Sequence, residues 1–262
     1  MDLQYLEDGH ILANAAVGPD TWRMDIRAPK LTAAAQPGQF VMVAVGHEST
    51  DPLLRRPLSI HQAADGVLTL LYRLVGKGTR LMSFMREGEV VSLLGPLGNG
   101  FKIRSAAHHC LVGGGVGVAP LLFLSKEIQA RLPGEKLSIL LGGRNRDELL
   151  ALADFRTIAP VHVATDDGSQ GLHGFVTELL AREVKGQASI YTCGPTPMMQ
   201  GVACLARAQK WPCQVSLESM MACGMGACLG CTVQRSGFAE TEKKYVHVCK
   251  DGPVFEADEI WL

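Results

Sequence analysis

Short apolar stretches, punctuated by turn residues, fill the first part of the chain. They include TWRMDIRAP, GQFVMVAV, GVLTLLYRLV and GEVVSLLGPLG, between residues 21 and 98. Strands of this length and spacing, with little helical periodicity, are typical of a small antiparallel barrel or sandwich. We therefore predict an all-β domain over residues 1–104, with its one short helix between Gly78 and Arg86.

The pattern changes near residue 105, where four apolar runs each end in glycine or polar residues. The runs are HHCLVGG, LSILLGG, VHVATDD and ASIYTCG. Helix-like sequence follows three of them, as APLLFLSKEIQARL, GFVTELLAREV and TPMMQGVACLARAQ. Strands that alternate with amphipathic helices indicate βαβ units on a parallel sheet. Residues 105–213 are therefore predicted to form an α/β domain.

The last segment, residues 214–262, has little regular periodicity and contains a polar stretch from Gly237 to Lys244. A segment this short cannot bury much apolar core. Small domains of this kind are commonly stabilised by a metal site. Because the segment holds four of the eight cysteines, we predict a small C-terminal domain built around a metal cluster.

Composition narrows the class of protein. The 262 residues suggest two or three domains, and a formal net charge of -1 does not suit a nucleic-acid partner. No apolar run approaches the roughly 20 residues that span a bilayer. The first residues, MDLQYLEDGH, carry acids where a secretory signal would be apolar. We expect a soluble, cytoplasmic protein without a membrane or nucleic-acid partner.

Four cysteines carry the most specific signal in the chain. Cys223, Cys228 and Cys231 follow the spacing C-x4-C-x2-C, and Cys249 comes later. Three close ligands and one distant ligand are the plant-type pattern for a [2Fe–2S] cluster, which transfers single electrons. The intervening glycines allow tight wrapping and amide donors to sulfur; they are Gly224, Gly226 and Gly230.

Three other interpretations of these cysteines stay open. Structural zinc prefers paired C-x2-C knuckles, and only Cys228 and Cys231 form one here. Disulfides need an oxidising compartment. Unpaired buried thiols are the third possibility. The remaining thiols of Cys110, Cys204 and Cys213 lie in apolar sequence, so we expect them to pack in cores.

A glycine run marks a candidate nucleotide site in the α/β domain. LVGGGVGVAPL, residues 111–121, follows a predicted strand and opens a predicted helix. Such a turn lets a pyrophosphate approach the amides at a helix start. Glycine turns between a strand and a helix also serve packing, and this run does not match G-x-G-x-x-G. The predicted contacts are Gly113, Gly114, Gly115 and Gly117.

The neighbouring strand ends leave the nicotinamide site less defined. The second strand ends in Arg144 without the acid that usually binds an NAD ribose, and Arg144 could meet a 2′-phosphate or cap a loop. The choice between NAD and NADP therefore stays open on these grounds. Cys193 and Gly194 end a later strand at the ligand-binding edge of the sheet. They are candidates to lie beside a nicotinamide, although a small residue at a strand end is also common in packing.

Two motifs in the first domain suggest phosphate and ring contacts. In RRPLS, Arg56 can bind a phosphate, Pro57 fixes the backbone and Ser59 offers a hydroxyl. In LYRLVGKGT, residues 71–79, Gly78 and Thr79 can offer donors to a second phosphate. Alone, each motif would be an arginine in a turn or a glycine hairpin.

Taken together, these motifs resemble the ferredoxin-reductase superfamily, which pairs a flavin domain with a pyridine-nucleotide domain. PGQFVMV, GPLGNGF, SLESMMACGMGACLGC and VCKDGPVF resemble, more narrowly, electron-transfer subunits of NAD-dependent dihydroorotate dehydrogenases. The resemblance spans nearly the whole chain. It implies a ferredoxin-reductase-like fold with an FAD-binding barrel at 1–104, a pyridine-nucleotide domain at 105–213 and a [2Fe–2S] domain at 214–262.

The resemblance also implies which residues bind cofactors. Cys223, Cys228, Cys231 and Cys249 would ligate the cluster. FAD would contact Arg56, Pro57, Leu58, Ser59, Leu71, Tyr72, Arg73, Gly78 and Thr79. One departure is the 17-residue interval between Cys231 and Cys249, where a polar insert around Ala239–Lys244 is longer than the family leads us to expect.

The implied function is electron transfer in de novo pyrimidine (UMP) biosynthesis. The family's partner is a catalytic subunit with FMN and the dihydroorotate site, commonly in a heterotetramer with two copies of each chain. Electrons would pass from that FMN through [2Fe–2S] and FAD to NAD. Two alternatives are a reductase that serves an oxygenase, ferredoxin or hydrogenase-like partner, and a zinc-bound module without enzymatic activity.

Overall fold

The computed structural model describes residues 4–45, 51–237 and 244–262 of the chain. Within these ranges it contains a closed barrel, a mixed sheet with flanking helices, and a short hairpin beside the four predicted cluster ligands. These parts confirm the predicted fold class, which combines an antiparallel barrel, a parallel-sheet α/β domain and a small C-terminal region. Of the predicted polar insert, Ala239–Lys244, all but Lys244 lies outside the described residues.

Six described strands close the barrel in the order β1-β2-β5-β4-β3-β6. Their bounds are β1 Tyr5–Gly18, β2 Thr21–Arg27, β3 Phe40–Val43, β4 Arg56–Ala64, β5 Val67–Arg73 and β6 Val90–Leu97. Inward side chains such as Met24, Ile60 and Leu70 are fully buried and fill the barrel. Alternation of apolar and polar positions along these strands explains this packing.

Two short helices accompany the barrel, α1 at Pro29–Ala34 and α2 at Lys77–Met82. Helix α2 is the predicted helix, and α1 shows that the expectation of a single helix was wrong. The carboxylate of Glu7, on β1, accepts the amides of Lys30 and Leu31 at 3.2 and 2.8 Å. Because the group that satisfies the first amides of α1 comes from another element, local sequence did not indicate this helix.

A seven-stranded sheet forms the second part, in the order β10-β9-β8-β7-β11-β12-β15 among the described residues. The parallel strands are β7 His108–Gly114, β8 Lys136–Gly143, β9 Val161–Thr165, β10 Leu172–His173, β11 Ser189–Cys193 and β12 Cys213–Ser216. The hairpin strands are β13 Thr232–Gln234 and β14 Tyr245–His247, and β15 Val254–Glu256 pairs antiparallel with β12. The C-terminal segment therefore extends the sheet of the α/β domain.

The helices of the second part are α3 Ala119–Arg131, α4 Leu152–Arg156, α5 Val176–Glu183 and α6 Thr196–Gln209. The predicted helical segments correspond to α3, α5 and α6. Cys110 and Cys213 are buried as expected. The expectation for Cys204 was wrong, because it lies on the exposed face of α6, whose buried face carries Val202 and Ala206. No helix in the described ranges has the length and apolarity needed to cross a bilayer.

The barrel and the α/β domain meet through α3 and β4. Nδ1 of buried His61, on β4, donates to the carbonyl of Ala119 at the start of α3 over 2.7 Å. Nearby, Lys126 Nζ donates to Gln62 Oε1 over 2.7 Å. These contacts hold β4 of the barrel against α3, which follows the glycine run at the end of β7.

We expect His61 to make the folded chain sensitive to acid. Burial lowers its pKa to about 4, although the hydrogen bond to Ala119 acts in the other direction. Stability is therefore fully present above the unfolded pKa of about 6.5 and is lost as pH falls toward 4, by at most about 3 kcal/mol. Urea unfolding between about pH 7.5 and 4.5 measures this loss.

His61→Gln is the matched variant, because glutamine keeps a donor for Ala119 and does not titrate. It should show a smaller loss of unfolding free energy in acid. Burial also lowers the pKa of His108 to about 4, so part of the pH dependence remains in the variant. Identical pH dependence in both proteins would contradict the role of His61.

Candidate functional site

The cysteine loop turns its backbone amides toward its sulfur atoms. The amides of Met225, Ala227 and Cys228 lie 3.5, 3.3 and 3.4 Å from Cys223 Sγ. Gly226 N lies 3.1 Å from Cys249 Sγ, and Cys249 N lies 3.4 Å from Cys231 Sγ. Gly224 and Gly226 adopt positive φ angles of 72° and 81°, which this wrapping requires. Amide donors of this kind tune iron–sulfur clusters.

The four thiols lie close to one another. Cys223 interacts with Cys228, and Cys231 interacts with Cys249. Cys249 also lies close enough to Cys223 to feel its charge, so the four thiols form one group. Two irons bridged by sulfide need two thiolates each, and four thiols in one group can supply them.

Burial and amide contacts affect the thiols differently. Burial raises the pKa of the Cys223 thiol, but amide hydrogen bonds, first from Met225, outweigh it and lower the pKa to about 6. Burial, and then the neighbouring Cys231 thiol, raise the pKa of Cys249. Cys231 and Cys249 are each only 2% exposed, whereas Cys228 is exposed. A bound cluster would therefore have one pair of ligands inside the protein and one toward its surface.

The cysteine loop packs against the barrel. A Cβ on Gly224 would lie 2.7 Å from Met42 Cγ on β3 and 3.2 Å from Leu97 Cδ1 on β6. Met42 is in register with Pro57 of β4. The cysteine loop is therefore one strand away from the RRPLS motif, which the sequence assigned to FAD.

We expect Gly224→Ala to reduce cluster content strongly. The new Cβ would strike Met42, and φ 72° is unfavourable for alanine by about 1 kcal/mol or more. Gly230→Ala is the matched control, because its Cβ would meet only Cys228 Sγ at 3.7 Å and its φ is not in the positive region. Iron and sulfide analysis of both purified variants tests the difference. Equal iron in both would contradict it.

The predicted flavin motifs lie on β4 and β5 where the hydrogen-bond ladder between these two strands ends. The ladder between β4 and β5 runs from Ala64 opposite Val67 to Ile60 opposite Leu70. Among the described residues, this ladder does not continue into residues 56–59 of β4 and 71–73 of β5. Residues 56–59 pair with β3, and residues 71–73 pair with β2. Each segment therefore has a backbone edge available to a flat ring that offers donors and acceptors.

The phosphate-binding candidates also come together. A Cβ on Gly78 would lie 2.9 Å from Arg56 Cζ, so the guanidinium packs directly against this glycine and would have to move for a larger residue. Thr79 Oγ1 accepts the amides of Val75 and Gly76 at 3.0 and 3.3 Å. The two sequence motifs thus meet where Arg56 packs on Gly78, and the guanidinium there can bind a phosphate.

The remaining flavin candidates divide by exposure. Pro57, Leu58 and Ser59 are partly exposed along β4. Leu71 and Tyr72 are buried, and the Tyr72 hydroxyl donates to Asn14 Oδ1 over 2.9 Å inside the barrel. These two side chains belong to cores, so only their main-chain atoms are available to a ligand.

The glycine run and the strand end at Cys193 meet at one cleft of about 340 Å³. Its lining includes Arg73, Gly114, Gly115, Val116, Gly117, Gly194, Pro195, Thr196, Glu218 and Trp261. A Cβ on Gly117 would lie 2.6 Å from Gly194 N, so the two loops touch through their backbones. The cleft lies at the carboxyl ends of β7 and β11, where parallel sheets bind nucleotides.

Two predicted residues lie beneath this cleft. A Cβ on Gly113 would lie 2.9 Å from Leu121 and Val118, which indicates a packing role. Cys193 is 2% exposed, and burial raises the pKa of its thiol. Neither lines the cleft, whereas Gly114, Gly115, Gly117 and Gly194 do.

Sequence reasoning assigned no role to Glu148, Glu218 or Trp261, which also shape the site. Arg144 Nε donates to Glu148 Oε1 over 2.9 Å, and this hydrogen bond is the main cause that lowers the pKa of Glu148. Glu148 also lies 3.9 Å from Arg73, so it links the two domains. Glu218 and Trp261 enter the cleft from the C-terminal segment. Their only sequence signal is their position near the cysteine motif.

Comparison with known proteins agrees with this arrangement. A family model for the iron-sulfur cluster binding domain of dihydroorotate dehydrogenase B matches residues 218–261, and one for an oxidoreductase NAD-binding domain matches residues 111–203. A relative from Desulforamulus reducens, named "Dihydroorotate dehydrogenase B (NAD(+)), electron transfer subunit", is 41% identical and covers 97% of each chain. A relative of the same name from Fusobacterium nucleatum is 35% identical, covering 97% of this chain and 98% of its own.

The chain belongs to this family of electron transfer subunits. Membership confirms the resemblance stated from the sequence and makes the chain an oxidoreductase subunit. The cluster-binding and NAD-binding matches contain the four cysteines and the glycine run, in agreement with the predicted cluster and NAD. The family's iron-sulfur model includes Cys249, which lies beyond the longer interval noted in the sequence.

Solved structures agree on the fold. An NADH-dependent reduced ferredoxin-NADP oxidoreductase, described in work on flavin-based electron bifurcation, is 31% identical with a TM-score of 0.84, covering 96% of this chain and 89% of that one. A ferredoxin NADP+ reductase from Neisseria gonorrhoeae, with bound FAD and NADP, is 17% identical with a TM-score of 0.67. The match covers 78% of this chain and 91% of that one. The family's reductase fold agrees with the predicted FAD.

Proposed function

We propose that the chain passes electrons from the FMN of a catalytic dihydroorotate dehydrogenase subunit through a [2Fe–2S] cluster and FAD to NAD+. This step would belong to de novo pyrimidine biosynthesis. One observation carries the proposal: three candidate sites follow one another without interruption. The cysteine loop packs on Met42, Met42 pairs with Pro57 of the flavin motif, and Arg73 of the second flavin motif lines the nucleotide cleft.

The order of these sites suits the chemistry of the cofactors. When bound, FAD exchanges single electrons with a cluster and hydride with a nicotinamide. The cysteines hold the cluster, Arg56 and the start of α2 hold the flavin phosphates, and the free edges of β4 and β5 orient its ring. The loops at Gly117 and Gly194 position the nicotinamide. No side chain in the described residues is needed for dihydroorotate chemistry in this division of labour.

An apolar surface next to the cysteines supports a partner subunit. Met220, Met225 and Leu229 are 90%, 50% and 57% exposed. Apolar side chains that cluster on a surface commonly mark a protein interface, and methionine adapts well to one. Since Cys228 is exposed in the same loop, a partner bound here would bring its FMN near the cluster. We propose a heterotetramer with two copies of each subunit.

Copurification and two activity assays test the proposal. We expect the chain to copurify with an FMN protein that oxidises dihydroorotate. The isolated chain should contain iron, sulfide and FAD, and NADH should bleach its flavin. It should not oxidise dihydroorotate alone. Dihydroorotate turnover by the isolated chain would contradict the proposal, and copurification with a ferredoxin or oxygenase instead would favour the alternative reductase.

A further inference from the structure

The turn that carries Cys249 is a compact unit between β14 and β15. The amides of Lys250 and Asp251 donate to the carbonyl of His247 at 3.1 and 2.8 Å. The carboxylate of Asp251 accepts the amide of His247 in return, at 2.7 Å. Because the turn is closed on itself in this way, Cys249 moves with it.

One side chain of the barrel domain holds this turn. Asn99 lies just after β6, and its Nδ2 donates to the carbonyls of Lys250 and Asp251 at 3.1 and 2.9 Å. The backbone amide of Asn99 donates to the carbonyl of Gly252. Both neighbours of the side-chain amide are carbonyl oxygens, so the amide must present its nitrogen to them. Asn99 therefore binds three consecutive carbonyls of the turn.

The position of Asn99 is fixed by the barrel. Buried Gln39, just before β3, donates from Nε2 to the carbonyl of Gly98 at 2.8 Å. A Cβ on Gly98, whose φ is +73°, would lie 2.5 Å from the carbonyl oxygen of Gly252 and 3.1 Å from Phe40 Cε1. The backbone before Asn99 is thus wedged between the turn and the end of the barrel.

The other cluster ligands reach the same barrel through a different contact, because Gly224 of the cysteine loop packs on Met42. Two amide contacts then join the cysteine loop to the turn. Gly226 N lies 3.1 Å from Cys249 Sγ, and Cys249 N lies 3.4 Å from Cys231 Sγ. The lengths of both contacts depend on two pieces of chain that are separately seated on the barrel.

We propose that Asn99 is a positioning residue for the cluster, which holds Cys249 where the amide of Gly226 can donate to its sulfur. This inference rests on the proposed function, since it requires a bound cluster. Reduction adds negative charge to a cluster and its sulfur ligands, and amide donors stabilise that charge. The barrel, assigned from the sequence to FAD, would therefore also set the reduction potential of the cluster.

Two substitutions of Asn99 and one matched control test this in the full chain loaded with both cofactors. Asn99→Ala removes the donors, and Asn99→Asp keeps the size but turns an acceptor toward the carbonyls. Gln129→Glu is the control, because Gln129 is an exposed amide on α3 that donates to the carbonyl of Ile158 at 3.1 Å. It loses the same kind of hydrogen bond in the α/β domain.

Redox titration followed by electron paramagnetic resonance measures the cluster in each protein. In Asn99→Ala the one-electron equilibrium constant for cluster reduction should fall about tenfold, which is a potential lower by about 59 mV. Asn99→Asp should fall at least as far, and Gln129→Glu should match wild type. NADH should reduce the flavin of all four proteins within about twofold of the same rate, since the nucleotide cleft is unchanged.

Hydrogen exchange, measured by mass spectrometry on the peptide that spans residues 245–256, reports on the turn without any turnover. The amides of Lys250 and Asp251 should exchange about tenfold faster in Asn99→Ala, because the turn opens more often when Asn99 does not hold it. Gln129→Glu should exchange there as wild type does.

The inference requires both changes in Asn99→Ala. Faster exchange at an unchanged potential would make Asn99 a structural residue only, and a shifted potential at unchanged exchange would mean that Asn99 does not act through the turn. A shift confined to Asn99→Asp would reflect its added charge. Each of these results overturns the inference and leaves the proposed function standing, whereas a wild-type chain that binds no iron overturns both.

Discussion

Cys249→Ser should abolish the iron–sulfur absorbance of the chain and reduce electron flow from the partner to NAD+ to background. Cys249 is 2% exposed, and its Sγ accepts the amide of Gly226 at 3.1 Å. It is the buried ligand that comes from outside the C-x4-C-x2-C loop. Serine gives a harder and less acidic ligand for iron. Because metal binding also supplies folding free energy, the C-terminal domain should become less stable.

Cys204→Ser is the matched control for Cys249→Ser. Cys204 is exposed on α6, away from the cysteine loop, so its variant should keep full iron and sulfide content. Iron analysis, visible absorbance and electron paramagnetic resonance after reduction measure the cluster. NADH should still reduce the flavin of Cys249→Ser, since the nucleotide cleft is unchanged. Normal iron content in Cys249→Ser would show that this ligand assignment is wrong.

The sequence predicted elements best where one local signal determined them. The segment TPMMQGVACLARAQ coincides with α6, because proline starts the helix and apolar residues recur on one face. Helix α1 escaped prediction because Glu7, more than twenty residues earlier in the chain, satisfies its amides. Cys204 was misplaced because apolar neighbours in sequence do not reveal which face of a helix is buried.

The candidate site was predictable as motifs but not as an arrangement. The cysteine spacing indicated a cluster, and the glycine run indicated a nucleotide. That Gly78 makes room for Arg56 depends on the closure of the barrel, which brings together residues that are distant in sequence. Glu218 gave no signal of its own, because its environment arises from three parts of the fold that meet at the cleft. Side-chain environments created by long-range contacts cannot be inferred from local pattern.

Gly117→Ala should damage the nucleotide site more than any other single methyl group in the glycine run. A Cβ there would lie 2.6 Å from Gly194 N and 2.7 Å from the carbonyl carbon of Cys193. Both obstacles are backbone, so no side chain can rotate away, and the loops after β7 and β11 must separate. We expect overpacking to cost about 1–3 kcal/mol of unfolding free energy. Displaced nicotinamide contacts should lower the rate of flavin reduction by NADH about 10²-fold.

Gly115→Ala separates this collision from backbone strain. A Cβ on Gly115 would meet nothing within 4 Å, but its φ of +55° is unfavourable for alanine by about 1–2 kcal/mol. This control should lose stability to a similar degree while keeping most of its NADH reactivity. Stopped-flow reduction by NADH, with cluster absorbance as an internal reference, compares the two. If Gly117→Ala reacts with NADH as fast as Gly115→Ala does, then contact between the two loops is not what positions the nicotinamide.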